Sequence, residues 1–470
     1  MTDNKEQHPA AKLAYRRQNA WDRMGGGEKN AAVAFCEEYK KFLGSAKTER
    51  EAVAAAQAYL AGAGFRPLEE TSMLRPGDKV YTLNRRKTLI AAVIGKNPAA
   101  HGFNIIGAHL DSPRLDLKPQ PLYEEDGFAL LKTHYYGGIK KYQWLSVPLA
   151  LHGVVIKGDG SAISVVIGEK PGEPVFTVSD LLPHLAKDQM DKKMADAVPG
   201  ESLNVLAGGI PVGTEELKDR FKLAVLERLN KLYGIVEEDL ISAEIELVPA
   251  WLPNDVGLDG SFIGGYGQDD RVCAYTSLRA LAEISVPERT ALVVLADKEE
   301  IGSTGNTGME SSFFVNATAE IVSRCVAGYN ELILRRVLSY SRALSADVNS
   351  GLDPNYSDAY EKSNAARLGG GVVLTKYTGS RGKYATSDAH AEVMADIRRL
   401  FNGAGVVWQT GELGKVDQGG GGTIAHIMAA HGMDVLDCGV ALLGMHSTFE
   451  IASKADIYMT YKGYKAFLLS

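Results

Sequence analysis

The stretch ALVVLADKEEIGS, from Ala291 to Ser303, limits the possible folds more than any other part of the chain. Six apolar or small residues, Ala291–Ala296, run straight into Asp297, Lys298, Glu299 and Glu300. The run is too short for a globular helix and predicts a buried parallel strand. If the strand continued through the glutamates, its period of two would send one of them into the core. They are therefore expected on the loop past the strand's carboxyl end, the edge of an open α/β sheet at which ligands bind. Two carboxylates side by side at that edge imply a shared chemical task.

At 470 residues the chain is too long for one ordinary core, so two or three domains are expected. A hydrophobic content of 45% and a charged content of 23% are those of a soluble globular protein. The net charge of −7 argues against a nucleic-acid partner, which needs a basic surface. It also means that an acidic substrate would require a local positive pocket. Cys36, Cys273, Cys325 and Cys438 make no CxxC pair, which fits a reducing cytoplasm and speaks against a disulfide framework or a zinc-thiolate site. The opening, MTDNKEQHPAAKLAYRRQ, has no apolar core of a signal peptide. No apolar run approaches the ~20 residues that span a bilayer. A cytoplasmic chain with no membrane association is expected.

Helices are predicted over 28–42 and 48–61, the second stopping at Gly62–Gly64, and strands over 79–83, 88–94 and 103–108. From about residue 115 the texture becomes turn-rich. GVVIKGDGSAISVVIG reads as two strands around a GDGS turn, followed by helices over 179–187 and 215–233. Residues 116–245 read as a smaller, β-rich domain inserted into a catalytic domain made of 1–115 and 246–470. After residue 245 buried strands alternate with helices. SRALSADVN, GGVVLTKY, VVWQ and DVLDCGVAL are strands; 271–284, 387–401 and 423–431 are helices, as is the tail from Ser453, which opens with a capping signal. The fold class is α/β: a mixed, mostly parallel sheet sandwiched by helices.

Chemistry-bearing residues sit just past the predicted strand ends, on what would be one edge of one sheet. His109 and Asp111 follow 103–108. Asp269 and Asp270 follow FIGGYG. Glu299 and Glu300 follow 291–296, Asp347 follows SRALSA, and His446 follows GVALLGM. Imidazole with carboxylate suits zinc, manganese or cobalt. The carboxylates suffice for two divalent ions with one of them bridging, a pair that together polarises a carbonyl and activates water. One of the adjacent glutamates would then ligate metal while the other moves protons. No HExxH, GxSxG or P-loop motif competes with this reading. A glycosidase would want carboxylates facing each other across a sugar, which adjacent glutamates supply poorly.

The motifs HLDSPR, GQDDR, DKEEIGS, SADVNSGLDPNYSDAYE, KYATSDAHAE, VDQGGGGTIA and GMHSTFEI, in this order, resemble the aspartyl-aminopeptidase family of dinuclear zinc peptidases. The resemblance implies that His109, Asp269 and Asp347 hold one zinc ion, and Asp269, Glu300 and His446 the other. It implies Glu299 as general acid/base, Asp111 as the group that orients His109, and a cis peptide after Asp269. It also implies that His184, in the inserted domain, reaches an active site and binds the oxyanion. For substrates it implies short peptides with a free amino end, preferably acidic. Lys376 and Tyr384 are the expected contacts to the first side chain, and Gly420 and Gly421 would offer N–H groups to an anion. The insertion matches the family's dimerisation domain, and the implied assembly is a tetrahedral dodecamer built from dimers. GQDDR lies nearer to the motif of related tetrahedral aminopeptidases, which leaves a broader specificity open. A carboxypeptidase or amide deacylase of the same metal type is the competing activity.

Overall fold

The structure, a computed structural model, describes residue 10, residues 13–384 and residues 386–470. Most of the polar opening segment lies outside the described residues. The first long helix is Gly26–Ser45 and the second Glu49–Gly62. The second is fixed at its start by a reciprocal cap. The Thr48 side chain accepts from the Glu51 N–H, and the Glu51 carboxylate accepts from the Thr48 N–H, satisfying donors that a helix end otherwise leaves open.

A nine-stranded sheet forms the centre. Its spatial order is Arg66–Pro67, Lys79–Asn84, Thr88–Val93, Ala291–Ala296, Asn104–His109, Arg342–Ser345, Asp434–Gly439, Val372–Thr375 and Trp408–Thr410. Neighbours run parallel except where Thr88–Val93 meets Lys79–Asn84 and Ala291–Ala296, and where Val372–Thr375 meets Asp434–Gly439. This is the mixed, mostly parallel sheet expected of the chain. Alternate residues of its central strands feed two helical layers. Leu89, Ala91, Val293 and Leu295 pack on one side, with the helices Gly26–Ser45, Gln268–Ala282 and Lys454–Leu469. Ile90, Ala92, Leu292 and Val294 pack on the other, with Phe313–Cys325 and Glu331–Ser339. Burying both faces explains why the strands read as continuous apolar runs, each large side chain contributing ~1.5–3 kcal/mol.

A separate six-stranded sheet comprises Arg114–Glu125, Phe128–Tyr136, Leu149–Ile156, Ala162–Ile167, Val205–Gly208 and Ala243–Pro249. Its own core is built around the fully buried Trp144 with Leu115, Leu149 and Leu247. A five-stranded sheet, Asn254–Val256, Phe262–Gly265, Glu450–Ser453, Ala441–Leu443 and Asn349–Ser350, packs beside the large one.

Several local expectations are corrected. The helix expected over 179–187 does not form, and a short one, Lys187–Met190, begins only at its end: Pro183 interrupts the pattern and Leu181, Leu182 and Leu185 are half or more exposed, so the segment has no core face to bury. The helix expected over 423–431 is the short Ala425–Ala429. DVLDCGVAL is two strands, Asp434–Gly439 in the large sheet and Ala441–Leu443 in the five-stranded one. The tail helix does start after Ser453, but the Ser453 hydroxyl makes no cap. Cys36, Cys273, Cys325 and Cys438 are free thiols. Among the described residues no helix is long and apolar enough to cross a membrane.

Candidate active site

The carboxyl ends of three adjacent parallel strands define the site. Ala296 lies opposite His109, and Ser345 opposite Gly107, so His109, the Glu299–Ile301 turn and the chain leading to Asp347 emerge side by side. Asp269 and His446 come from elsewhere. Asp269 follows Phe262–Gly265, and His446 lies between Ala441–Leu443 and Glu450–Ser453, all strands of the five-stranded sheet. The chemical residues therefore meet between two sheets, not along one edge of one. Asp347 sits where the chain crosses from one sheet to the other, and Asp434–Gly439 makes the same crossing beside it. Gly439 permits this contact: a Cβ there would fall 1.9 Å from the Asp347 carbonyl oxygen.

The side chains converge closely. The Asp269 carboxylate spans both imidazoles: Oδ1 is 3.2 Å from His109 Nε2, and Oδ2 is 3.2 Å from His446 Nε2. Asp347 Oδ1 and Glu299 Oε2 each lie 3.9 Å from His109 Nε2, and Glu300 Oε2 lies 3.4 Å from His446 Nε2. The Asp269–Asp270 peptide is cis. Asp111 serves as a hub. Its main-chain oxygen is 3.0 Å and its carboxylate 3.4 Å from His109 Nδ1, while the carboxylate accepts the N–H groups of Glu299 and Glu300, each at 3.1 Å. One side chain thus orients the histidine and fixes the glutamate turn.

Asp270, gathered with Asp269 past FIGGYG but given no role there, is buried, accepts from the His109 N–H at 3.3 Å, and shares possible ligand positions with His109 and Asp347. Asp269 fits the shared position better, because it alone reaches both imidazoles. Glu450, buried in a strand of small residues, accepts from the Asp269 N–H at 3.1 Å and the His446 N–H at 2.8 Å. A charged residue at an inward position of that strand was the available signal.

The electrostatics describe a site short of positive charge. Burial pushes the Glu299 carboxyl up to about 7 and Glu450 to about 8, and holds Glu300, Asp347 and Asp270 well above the usual range. Burial also acts on Asp269, but hydrogen bonds from His109 and His446 outweigh it and keep that carboxyl low. Burial disfavours protonated His446, yet Asp269 and Glu300 carry it up to about 10; His109 is raised well above normal against burial by Asp111 and Asp269. Without metal, the carboxylates thus push both imidazoles toward their protonated form. Glu300 Oε1 and Asp270 Oδ1 are buried without a hydrogen-bond partner. Two imidazoles, several carboxylates and orphaned buried oxygens fit divalent metal.

A cavity of about 460 Å³ opens above these residues, with Arg381, Lys383, Glu412 and Gly419–Gly422 on its walls. Gly420 and Gly421 belong there, but as a short strand paired with Gly379–Ser380 instead of the start of a helix. Lys376 and Tyr384 do not line the cavity. Lys376 is tied to Asp388 at 2.9 Å and Tyr384 is 80% exposed. Lys383 does line it, 3.1 Å from Asp388 and stacked over the Tyr377 ring at 3.9 Å. His184 stands in an exposed turn away from the cavity of its own chain.

Residues 42–468 match the family model described as aminopeptidase I zinc metalloprotease (M18). The chain belongs to this family of zinc metallo-aminopeptidases. The aspartyl-aminopeptidase resemblance falls within it. A probable M18 family aminopeptidase 1 of Clostridium acetobutylicum is 52% identical over 454 residues, 96% of this chain and 97% of the relative. The crystal structure of an M18 aminopeptidase from Thermotoga maritima superposes with a TM-score of 0.93 at 49% identity, covering 97% of this chain and 99% of that one. The S. cerevisiae mApe1 dodecamer shares the fold at 22% identity, with a TM-score of 0.74 over 93% of this chain and 97% of that one. The enzyme is a hydrolase that uses zinc.

Proposed function

We propose that this aminopeptidase is dinuclear, that it prefers an acidic first residue, and that it acts as a homo-oligomer on short peptides. The observation that carries the reading is Asp269, whose two oxygens lie equally far from two imidazoles that each have further carboxylates of their own. His109, Asp269 and Asp347 would hold one zinc ion, and His446, Asp269 and Glu300 the second. Zinc so held supplies Lewis acidity and lowers the pKa of water.

The chain's own groups do the rest. Glu299 reaches the cavity but is farther from the imidazoles than Asp269, and its carboxyl sits near neutrality. It is suited to accept a proton from the attacking water and hand it to the leaving amine. Asp111 keeps His109 and the glutamate turn in register. Gly420 and Gly421 lie on the cavity wall, within reach of the peptide. An acidic first side chain needs a fixed cation. Lys383 and Arg381 serve this better than Lys376, because they line the cavity and Lys376 does not; Asp388 pairs with both lysines.

Residues 116–245 act in this reading as an inserted dimerisation unit. Exposed Leu182, Leu185, Met190, Met194 and Ile210 supply an apolar surface for a second copy. His184, on that surface, would then bind the oxyanion of a neighbouring chain's site. The dodecamer of the yeast neighbour supports a tetrahedral assembly of such dimers.

Metal analysis combined with fluorogenic Asp-amide and Leu-amide substrates tests the proposal. Two zinc ions per chain and faster Asp-amide turnover are expected, with Lys383→Ala raising KM for Asp-amide more than Lys376→Ala does. One ion per chain would end the dinuclear reading, and equal turnover of both substrates would end the acidic one.

A further inference from the structure

We propose that Tyr136 and Gly138, in the YYGG segment where the six-stranded sheet reaches the large domain, are positioning residues for both halves of the metal site. Tyr136 is the last residue of Phe128–Tyr136. Its hydroxyl donates to Asp111 Oδ2 at 2.8 Å, on the carboxylate that already receives the Glu299 and Glu300 N–H groups. Arg114 lies 3.8 Å over the Tyr136 ring and faces it across the strand pair, so the phenol has little freedom. Two residues on, the Gly138 carbonyl is 2.8 Å from His446 Nδ1. A carbonyl can only accept, so Nδ1 carries a proton, which leaves Nε2, facing Asp269 and Glu300, as the nitrogen that a metal would take.

Neither residue lines the cavity, so neither touches substrate. The segment is also packed closely, so that a side chain there would have to displace its neighbours by a few tenths of an ångström. A Cβ on Gly137 would lie 3.3 Å from Pro113 and 3.4 Å from Glu300, and Gly137 has φ +74°. A Cβ on Gly138 would lie 3.3 Å from His446 Nδ1. The strap thus reaches His109 and the two glutamates through Asp111, and His446 directly. It belongs to a sheet that supplies none of the candidate ligands. Docking of that sheet therefore sets the geometry of a site it does not otherwise enter.

The inference rests on His446 binding zinc, so the test carries His446→Ala beside Tyr136→Phe and Gly138→Ala, all in the full chain. Zinc affinity is read by competition with a chromophoric chelator, kcat and KM at saturating zinc, and melting of the zinc-free proteins. Tyr136→Phe and Gly138→Ala are expected to weaken zinc binding by about tenfold and lower kcat, with KM unchanged. The zinc-free melting midpoint of Tyr136→Phe should stay near the parent's, which a merely structural role would not predict. If His446→Ala weakens zinc binding and the other two variants leave zinc affinity and kcat intact, the strap proposal is wrong and the metal site stands. A higher KM at constant kcat would place these residues on the substrate and overturn it equally. If His446→Ala leaves zinc binding unchanged, the ligand assignment fails first and the strap with it.

Discussion

Two buried clusters of acidic side chains lie close together in this molecule, and they neutralise their charge differently. In one, Glu49, Glu246 and Asp116 surround Arg114 and Lys87. Lys87 is 2.9 Å from Glu49, and the Arg114 Nε is 2.8 Å from Asp116 and 3.1 Å from Glu246. Burial would raise the Glu49 carboxyl, but Arg114 and Lys87 overcome it and hold it low. Glu246, the carboxylate in excess, is pushed well above its range by burial. In the other cluster Asp269, Glu299, Glu300 and Asp347 have, among the described residues, His109 and His446 as the cationic groups within 4 Å, and Asp270 lies beside them. The residue types are alike, and Glu49 and Glu246 are as deeply buried as Asp269 and Glu300. The first cluster encodes its counter-charge in the sequence, whereas the second leaves it to be imported. A buried acidic group is therefore informative about metal only after its cations have been counted.

Glu299→Gln gives the largest expected effect on that contrast. It keeps shape and removes the proton acceptor, so kcat should fall ~10²–10⁴-fold while zinc content is unchanged. Full activity in this variant would remove Glu299 from the chemistry. In the self-neutralised cluster, Lys87→Met should leave zinc affinity alone and cost roughly 3 kcal/mol or more in a urea titration, because Glu49 loses a buried partner. Unchanged stability would mean that Arg114 suffices and that the built-in charge is redundant.

The subtlest test is pH. In the zinc-free protein Glu299 and His446 are both raised, to about 7 and about 10. A raised folded pKa gives stability that is complete below the unfolded value and lost as pH climbs through the folded one. The chelated protein should therefore lose stability between about pH 4.5 and 10. Zinc must displace the proton on the ligand His446, so its affinity rises with pH. The gap between zinc-loaded and chelated melting temperatures should widen from pH 6 to pH 9. A constant gap would show that the imidazoles are not proton-loaded without metal.

Much of this arrangement is legible in the sequence. Ala291–Ala296 forms the buried strand that was read, parallel to Asn104–His109 though antiparallel to Thr88–Val93, because six apolar residues are too few for a globular helix and the charges after them cannot enter the core. Listing the residues past each strand end then gathers His109, Asp269, Glu299, Glu300, Asp347 and His446. The period of a strand does not tell which sheet it joins, so the division of these residues between two sheets was invisible. The resemblance put Lys376 on the substrate, and its pairing with Asp388, twelve residues away around a loop, could not be read from the sequence. The glycine run before Thr423 resembled a helix start because its pairing with Gly379–Ser380 depends on tertiary contact. The turn around His184 shows the same limit: apolar spacing without a surface to bury against does not make a helix.

The seam between the two sheets has a mechanical consequence. No backbone ladder joins Asn104–His109 or Ala291–Ala296 to the strands flanking Asp269 and His446. An ion gripped from both sides would act as a rivet there, adding to the two chain crossings and the His109–Asp269 contact that hold the stripped protein. Demetallation should first be felt as slippage along this joint, long before either sheet frays.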